Sequence, residues 1–567
     1  MKILRRNRQP ISLFLTALML TWQVGQPLRA ASLYWDTDSS AGGNLIDGSN
    51  LGGTGTWDTT TANWWDTSAL GAWPNTAADV AIFSGLVPTD VPNLNTVTLG
   101  SGLTANKLVF NRSGYTLAGA DLTLAGAGAG MYVQLGETNE ISAGLAGTDG
   151  LTKTGGGTVR LSGTNTYTGA TTISNGSLII TNESQLGADT SVVTVTGFNP
   201  VPSSTNLRGF GGGALVLDGT TAGFTLSRDL SLQGQGPLSD RSAALVSVGN
   251  NTLSGLVSTG VAYSGTNLNT RISSANGTLT FSDTLNVLGT AGTTITTLGG
   301  TNQGGVPLYN LTGALTGSGT LEKSGAGTLF LNPSDSSGFS GNVRVGASAT
   351  GNQSEVRITS PNVLGTRTAS TTSGVIDMNT GVLSVLMDTP SVQSGGVNAN
   401  VYGRATSTFF VNHGAASDVV NGVVNFGNFT YEDGQTFTFN SRNGYGVAFT
   451  TAPVNGGNGD TAMTNNMGGL LSFTGNFWSN TENTGSRLMS IGGNGNTLID
   501  GNILATSVAF DHNLTKSGAG VLTVTGTGST LDGAVSVTGG ALAIRDFRSV
   551  TNNTNPSTSA LVAQEPA

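Results

Sequence analysis

One block of residues occurs three times in this chain and limits the fold more than any other feature. It reads Leu151-Thr-Lys-Thr-Gly-Gly-Gly-Thr-Val-Arg-Leu161, returns as LEKSGAGTLFL from Leu321, and returns again as LTKSGAGVLTV from Leu514. Beyond residue 30 the chain has four lysines, and three of them, Lys153, Lys323 and Lys516, hold the same place in the block. Recurrence of this kind marks a repeat architecture, in which one small unit stacks on the next. The sharpest signal in the sequence is therefore structural, and no active site is marked with similar clarity.

The copies agree beyond the lysine. Two glycines follow each time: Gly155 and Gly157, Gly325 and Gly327, Gly518 and Gly520. Alternating apolar residues come next, Val159 and Leu161, Leu329 and Leu331, Leu522 and Val524. Then an apolar residue precedes a glycine by two: Tyr167 and Gly169, Phe339 and Gly341, Leu531 and Gly533. A second alternating pair closes the unit at Thr171 and Ile173, Val343 and Val345, Val535 and Val537. A period of two means a strand with one face buried. Glycine between strands supplies the crowded or left-handed positions of tight turns. Each copy thus reads as strand, turn, strand, turn, and is too small to bury its apolar face alone. The register points Val159, Leu161, Ile173 and their counterparts inward. It points Arg160, Phe330, Arg344 and Thr523 outward.

Composition narrows the class. Glycine is 86 of 567 residues and charged residues are 10%; ordinary globular domains have about 7% and about 25%. Thr, Ser and Asn fill the surface instead, while Val, Ile and Leu recur at strand spacing, so the chain reads as ordered and all-β. No run of helical periodicity stands out beyond residue 30, and such glycine density penalises helices by about 1 kcal/mol per site. Cysteine is absent, which excludes disulfides, thiolate metal sites and cysteine nucleophiles.

Residues 1–30 read as a secretory signal peptide: Lys2, Arg5, Arg6 and Arg8, an apolar run from Ile11 to about Trp22, and Ala30-Ala31 at the expected cut. The run is shorter than the about 20 residues of a membrane span, and no membrane span is expected in the mature chain. The leader carries five basic residues and no acidic ones, so its loss takes the net charge from −9 to −14. An acidic, lysine-poor chain does not suit nucleic acid, whose affinity comes largely from neutralised phosphates.

Residues 31–95 hold five of the seven tryptophans, Trp35, Trp57, Trp64, Trp65 and Trp73. They could form an aromatic platform for sugar. The preferred reading is a cap: a stack exposes a sheet-like end that must be covered, and large aromatics bury much area per residue. Residues 96–545 read as the stacked body, with coils of about 20–25 residues suggested by the strand and turn spacing. Repeats lie near 151–178, 321–345 and 514–542. Phe409, Phe410, Phe426, Phe429, Phe437 and Phe439 cluster in the least regular stretch; the alternation of Phe437 and Phe439 suggests aromatics stacked inside coils, with a ligand groove as the alternative. The polar stretch 546–567 reads as a disordered tail.

The pattern L-x-K-x-G-x-G-T-L-x-L, then N-x-Y-T-G, T-x-I and G-x-L, resembles the autotransporter-associated β-strand repeat. The first copy carries it almost throughout, and the other two match in their first halves. The resemblance implies a right-handed parallel β-helix of the pectin-lyase-like kind, as in passenger regions of secreted bacterial surface proteins. It brings no catalytic residues with it. Passengers of that kind run on into a membrane β-barrel; here only the polar tail follows the last repeat, so no translocator barrel is expected.

The sequence carries few residues arranged for chemistry. His413 and His512 are the only histidines, stand in no metal-spaced cluster, and read as turn or surface residues. GGNGD at Gly456 and GGNGN at Gly492 fall short of the calcium-binding nonapeptide and read as turns. No nucleophile elbow or phosphate loop occurs. Asp36 and Asp38 are a close pair within the cap region. The three lysines read as coil-corner residues whose stems cover apolar surface. No catalytic, cofactor-binding or metal-binding residue is assigned, and no cofactor is expected.

The sequence therefore points to an exported stalk or adhesin without enzymatic activity, secreted or on the cell surface. It would remain in the periplasm if no partner translocates it. Surface glycans or other cell-surface proteins are the expected partners. The alternative is a β-helical polysaccharide lyase or hydrolase, whose mark would be acids from consecutive coils converging in one groove.

Overall fold

A computed structural model describes residues 31–545 apart from 86–94, 189–190, 198–211, 238–242, 261, 264–265, 268, 291–293, 301–307, 347–353, 360–363, 365–373, 387–398, 413–420, 433, 453–458, 481–486, 506–511 and 532. The leader, the tail and His413 lie outside the described residues.

Alternation becomes strands where the sequence asks for them. Thr158–Leu161 and Val343–Val345 bury every second residue. Each strand then pairs in parallel with its counterpart one coil on. Val159 lies beside Leu178, Leu178 beside Leu215, Leu215 beside Leu245, Leu245 beside Ile272 and Ile272 beside Leu298. All six are 0% exposed, so one inward row is a continuous apolar column along the stack. All the residues expected to point inward are buried, while Arg160, Phe330, Arg344 and Thr523 are only half-buried.

Successive strands visit three faces in turn. Val80–Phe83 lies on the first, Asn95–Leu99 on the second and Leu103–Ala105 on the third; Lys107–Phe110 then returns to the first and pairs with Val80–Phe83. The fold is a parallel β-helix. Coil length is less regular than the expected 20–25 residues: Leu514 pairs with Val535, 21 positions on, but Leu178 pairs with Leu215, 37 positions on.

The three repeat copies do not sit above one another. Leu151–Thr154 and Thr158–Leu161 turn from the first face to the second. Thr320–Lys323 and Gly327–Leu331 turn from the second to the third. His512–Lys516 and Val521–Val524 turn from the third back to the first, whose later strands begin at Val423–Asn425. Each corner of the prism is therefore turned once by the same block.

The tryptophan-rich stretch closes one end. Ser32–Trp35 pairs in parallel with Val80–Phe83 and joins the first face, and its other edge is covered by the antiparallel strands Trp64–Trp65 and Leu70–Gly71. Trp35, Trp57, Trp64 and Trp73 are at most 2% exposed and meet at centroid distances of 4.6–5.1 Å. Buried rings cannot serve as a sugar platform.

Candidate functional site

The repeat lysines point into the molecule. Lys153 stands in the inward row between Met131 and Ile173, Lys323 between Leu298 and Val345, Lys516 between Ile491 and Val537. They are 0%, 0% and 1% exposed. This corrects the expectation of stems lying over apolar surface. A buried ammonium must find acceptors, and the turn supplies them. Lys153 Nζ donates to the carbonyls of Thr154, Gly155 and Asn175 at 3.0, 2.8 and 3.0 Å. Lys323 Nζ donates to Ser324, Gly325 and Ala326 at 2.7–3.0 Å. Lys516 Nζ donates to Ser517, Gly518 and Gly539 at 2.5–3.3 Å. Burial pushes the Lys153 and Lys323 ammonium groups down to about 7 and lowers Lys516 as well.

The glycines of the block let the chain wrap around that ammonium. Gly155, Gly325 and Gly518 all take positive φ, 76°, 65° and 71°, where a side chain would be strained. Gly341 permits close stacking: a Cβ there would lie 1.7 Å from the Gly319 carbonyl. Gly157, Gly327 and Gly520 sit one bend later; Gly169 and Gly533 approach the neighbouring coil in the same manner as Gly341. Tyr167 is buried with its hydroxyl 2.7 Å from Thr171 Oγ1, and Phe339 is buried in the corresponding place.

Acids from consecutive coils do converge at one place, on the outer side of the second face. The outward row there runs Thr297, Glu322, Arg344, Asp377 and Tyr402. Arg344 bridges Glu322 (3.3 Å) and Asp377 (2.8 Å); Arg404 bridges Asp377 (3.1 Å) and Glu432 (3.7 Å). The Tyr402 hydroxyl donates to Glu432 at 2.5 Å. Signs alternate along the row, and Asp377, 0% exposed, has a guanidinium on each oxygen. Glu322 is raised by burial, opposed by Arg344 and by the Thr297 hydroxyl. General acid–base work needs a carboxyl free to reach a substrate; here the three carboxylates are held by arginines and a tyrosine.

A second outward row, on the third face, carries Phe330, Arg357, Ser384, Phe410 and Asn440 on successive coils. Phe330 and Phe410 are half-buried, with Arg357 and Arg442 guanidinium groups 5.0 and 5.8 Å from their ring centroids. Inside the same coils Phe409 stacks on Phe439 at 4.8 Å and Phe426 on Phe449 at 5.3 Å. The phenylalanine cluster is thus core, except for Phe410.

His512 is 2% exposed and begins the strand His512–Lys516, beside Arg487. It is neither a turn nor a surface histidine; its place at the head of the third repeat puts it inward. The Gly492 stretch is a turn, with Gly493 at positive φ. Among the described residues no three His, Cys, Asp or Glu gather as a metal site, and no helix is long and apolar enough to cross a membrane.

Comparison with known proteins agrees with this geometry. The passenger-associated-transport-repeat model matches residues 151–180, 321–347 and 514–544, within two residues of the limits read from the sequence. Over 239 residues, 40% of the chain, it is 34% identical to a protein named as an adhesin, the BmaC autotransporter of Brucella suis biovar 1 (strain 1330). That stretch is 6% of the adhesin's length, so the chain spans only a small part of that relative. No solved structure matches. The chain therefore carries three passenger-associated-transport repeats and is similar, over part of its length, to a segment of an autotransporter adhesin.

Proposed function

We propose that the chain is a non-enzymatic shaft that presents long lateral faces for adhesion outside the cell. The observation that carries this reading is the passenger repeat itself, present at all three corners of one continuous stack. Its chemistry is spent on holding coils together: lysines on turn carbonyls, acids on arginines. The partial similarity to an adhesin supports the same reading. The outward Phe330–Phe410 row, flanked by Thr and Ser hydroxyls, is a surface suited to many weak contacts with glycans or surface proteins. Without a translocation partner the chain would stop in the periplasm.

The test uses the purified full chain in two assays. Immobilised chain should retain host-type cells or arrayed glycans, and the double variant Phe330→Ala, Phe410→Ala should retain fewer. A polysaccharide-degradation screen read by mass spectrometry should show no cleavage. Reproducible cleavage that disappears in Glu322→Gln or Asp377→Asn would assign the converging acids to a lyase or hydrolase instead.

A further inference from the structure

Two arginines lie against phenylalanine rings on the outer side of the third face, and only one of them has an acid. Arg357 stands 5.0 Å from the Phe330 ring centroid, and its Nε and Nη2 donate to Glu355 at 3.0–3.1 Å. Arg442 stands 5.8 Å from the Phe410 ring centroid. It is exposed, and its guanidinium makes no ion pair or hydrogen bond among the described residues. Local sequence explains the difference. Glu355 lies two residues before Arg357 on the same strand, whereas Asn440, a neutral amide, lies two residues before Arg442.

A guanidinium held on a ring uses its flat face and keeps its edge. The N–H donors lie in that edge, forked to match the two oxygens of one carboxylate. Arg357 has that pairing completed from within the chain; Arg442 holds the same fork open to solvent. Its surroundings suit a sugar. Thr408, Thr438 and Thr464 form a neighbouring outward rank on successive coils, and their hydroxyls have no partner among the described residues. The rank covers about 10 Å at about 4.8 Å per step, the length of a disaccharide. Asn440 accepts from Asn466 Nδ2 at 3.4 Å, and its own amide hydrogens are unused. The rank of threonines and the Phe410–Asn440 pair beside it carry no carboxylate to repel an anion.

We propose that Phe410, Asn440, Arg442 and the Thr408–Thr438–Thr464 rank bind a carboxylated sugar within a glycan lying along the third face. The site rests on the adhesive reading above and names its ligand class. The sugar carboxylate takes the Arg442 fork in a bidentate, charge-assisted pair. Phe410 holds the guanidinium in place, Asn440 donates beside it, and the threonines exchange hydrogen bonds with the hydroxyls of the next sugar.

The full chain is titrated against fluorescently labelled oligogalacturonate and oligosialate, read by polarisation, with the unlabelled acids, their methyl esters and polyglutamate as competitors. Saturable binding of at least one acid sugar is expected, weakened by salt. Its methyl ester should compete less well by about tenfold or more, because the charge-assisted pair is lost. Arg442→Gln should weaken binding by a similar factor and, as an exposed change, leave the Tm unaltered. Arg442→Lys should fall between the two, since a point charge replaces the fork. Arg545→Gln, at an exposed arginine outside the site, should bind as the parent does. The proposal is overturned if the parent binds neither acid sugar, if acid and ester compete equally, or if Arg442→Gln binds undiminished. It is also overturned if polyglutamate competes as well as the acid sugar, which would make the fork a site for acidic peptides. Retention of cells or neutral glycans by a chain that binds no acid sugar removes this site and keeps the adhesive reading; loss of all retention removes both.

Discussion

The ammonium of Lys153 donates to the carbonyl of Asn175, 22 residues further along the chain, at 3.0 Å. One side chain thereby bonds its own turn and the turn of the next coil. Lys153→Met keeps the stem and removes the donor from three buried carbonyls. A loss of about 2–4 kcal/mol is expected, since buried polar groups left unsatisfied cost about 1–3 kcal/mol each. Hydrogen exchange should show it as lower protection in the flanking coils, because stacked repeats open locally. Protection equal to the parent would mean that water serves the corner as well as lysine does.

The lysines and tyrosines together set a pH optimum. Lys153 and Lys323 have ordinary values of 10.5 when unfolded and about 7 when folded. Between those limits the unfolded chain holds protons that the folded chain has shed, so stability rises with pH, by up to about 1.4 kcal/mol per unit for each lysine. Tyr167 is raised to about 12 by burial, and Tyr115 and Tyr309 are raised higher still. Their contribution is lost as pH rises above 10. The Tm should therefore climb from pH 7 to about 10 and fall beyond it. The climb should flatten in Lys153→Met, Lys323→Met; an unchanged climb would assign it to other groups.

Register can be tested with neighbouring residues. Ile173 is 0% exposed and Ser174 half-buried. Ile173→Asp places an unpaired charge in the apolar column and should cost several kcal/mol, while Ser174→Asp should change little. Equal losses in urea melts would contradict the alternation.

The charged row should be uneven in strength. Asp377→Asn removes the buried charge that Arg344 and Arg404 share, leaving Arg344 only its longer contact to Glu322, and a loss of about 3 kcal/mol is expected. Glu432→Gln breaks a half-exposed contact at 3.7 Å and should cost at most about 1 kcal/mol. The reverse order would place the burial of this row elsewhere.

Shape offers a fifth check. The second face alone stacks fifteen strands, about 70 Å at about 4.8 Å per step. Solution scattering should give a rod longer than that. A profile of two compact bodies would reject the single stack.

The strands were legible because alternation is local: Val159 and Leu161 declare their side within three residues. The lysines were misread for the same reason. Sequence shows Lys153 beside a glycine turn, but not that the turn aims three carbonyls inward, so a long cation was assigned to the surface. His512 was placed at a turn because the strand that begins with it is defined by pairing with Arg487, a coil earlier. The charged row was invisible. Arg344 meets Glu322 and Asp377 at separations of 22 and 33 residues, and coil lengths that vary this much leave no fixed period to search. The pair Asp36–Asp38 is visible in the sequence, but not that Asp36 is buried while Asp38 is exposed.

That one block turns each corner of the prism has a consequence for how such chains can lengthen. If a motif worked at only one corner, gene duplication could add material only in whole coils. A motif that fits any corner frees the inserted length from that rule. A duplicated segment ending one face later still finds a complementary face waiting, because the strand after it meets the same parallel edge and the same apolar column. Growth can then proceed in thirds of a turn, and the variable spacing between copies, 170 residues from Lys153 to Lys323 and 193 from Lys323 to Lys516, is what such growth would leave behind.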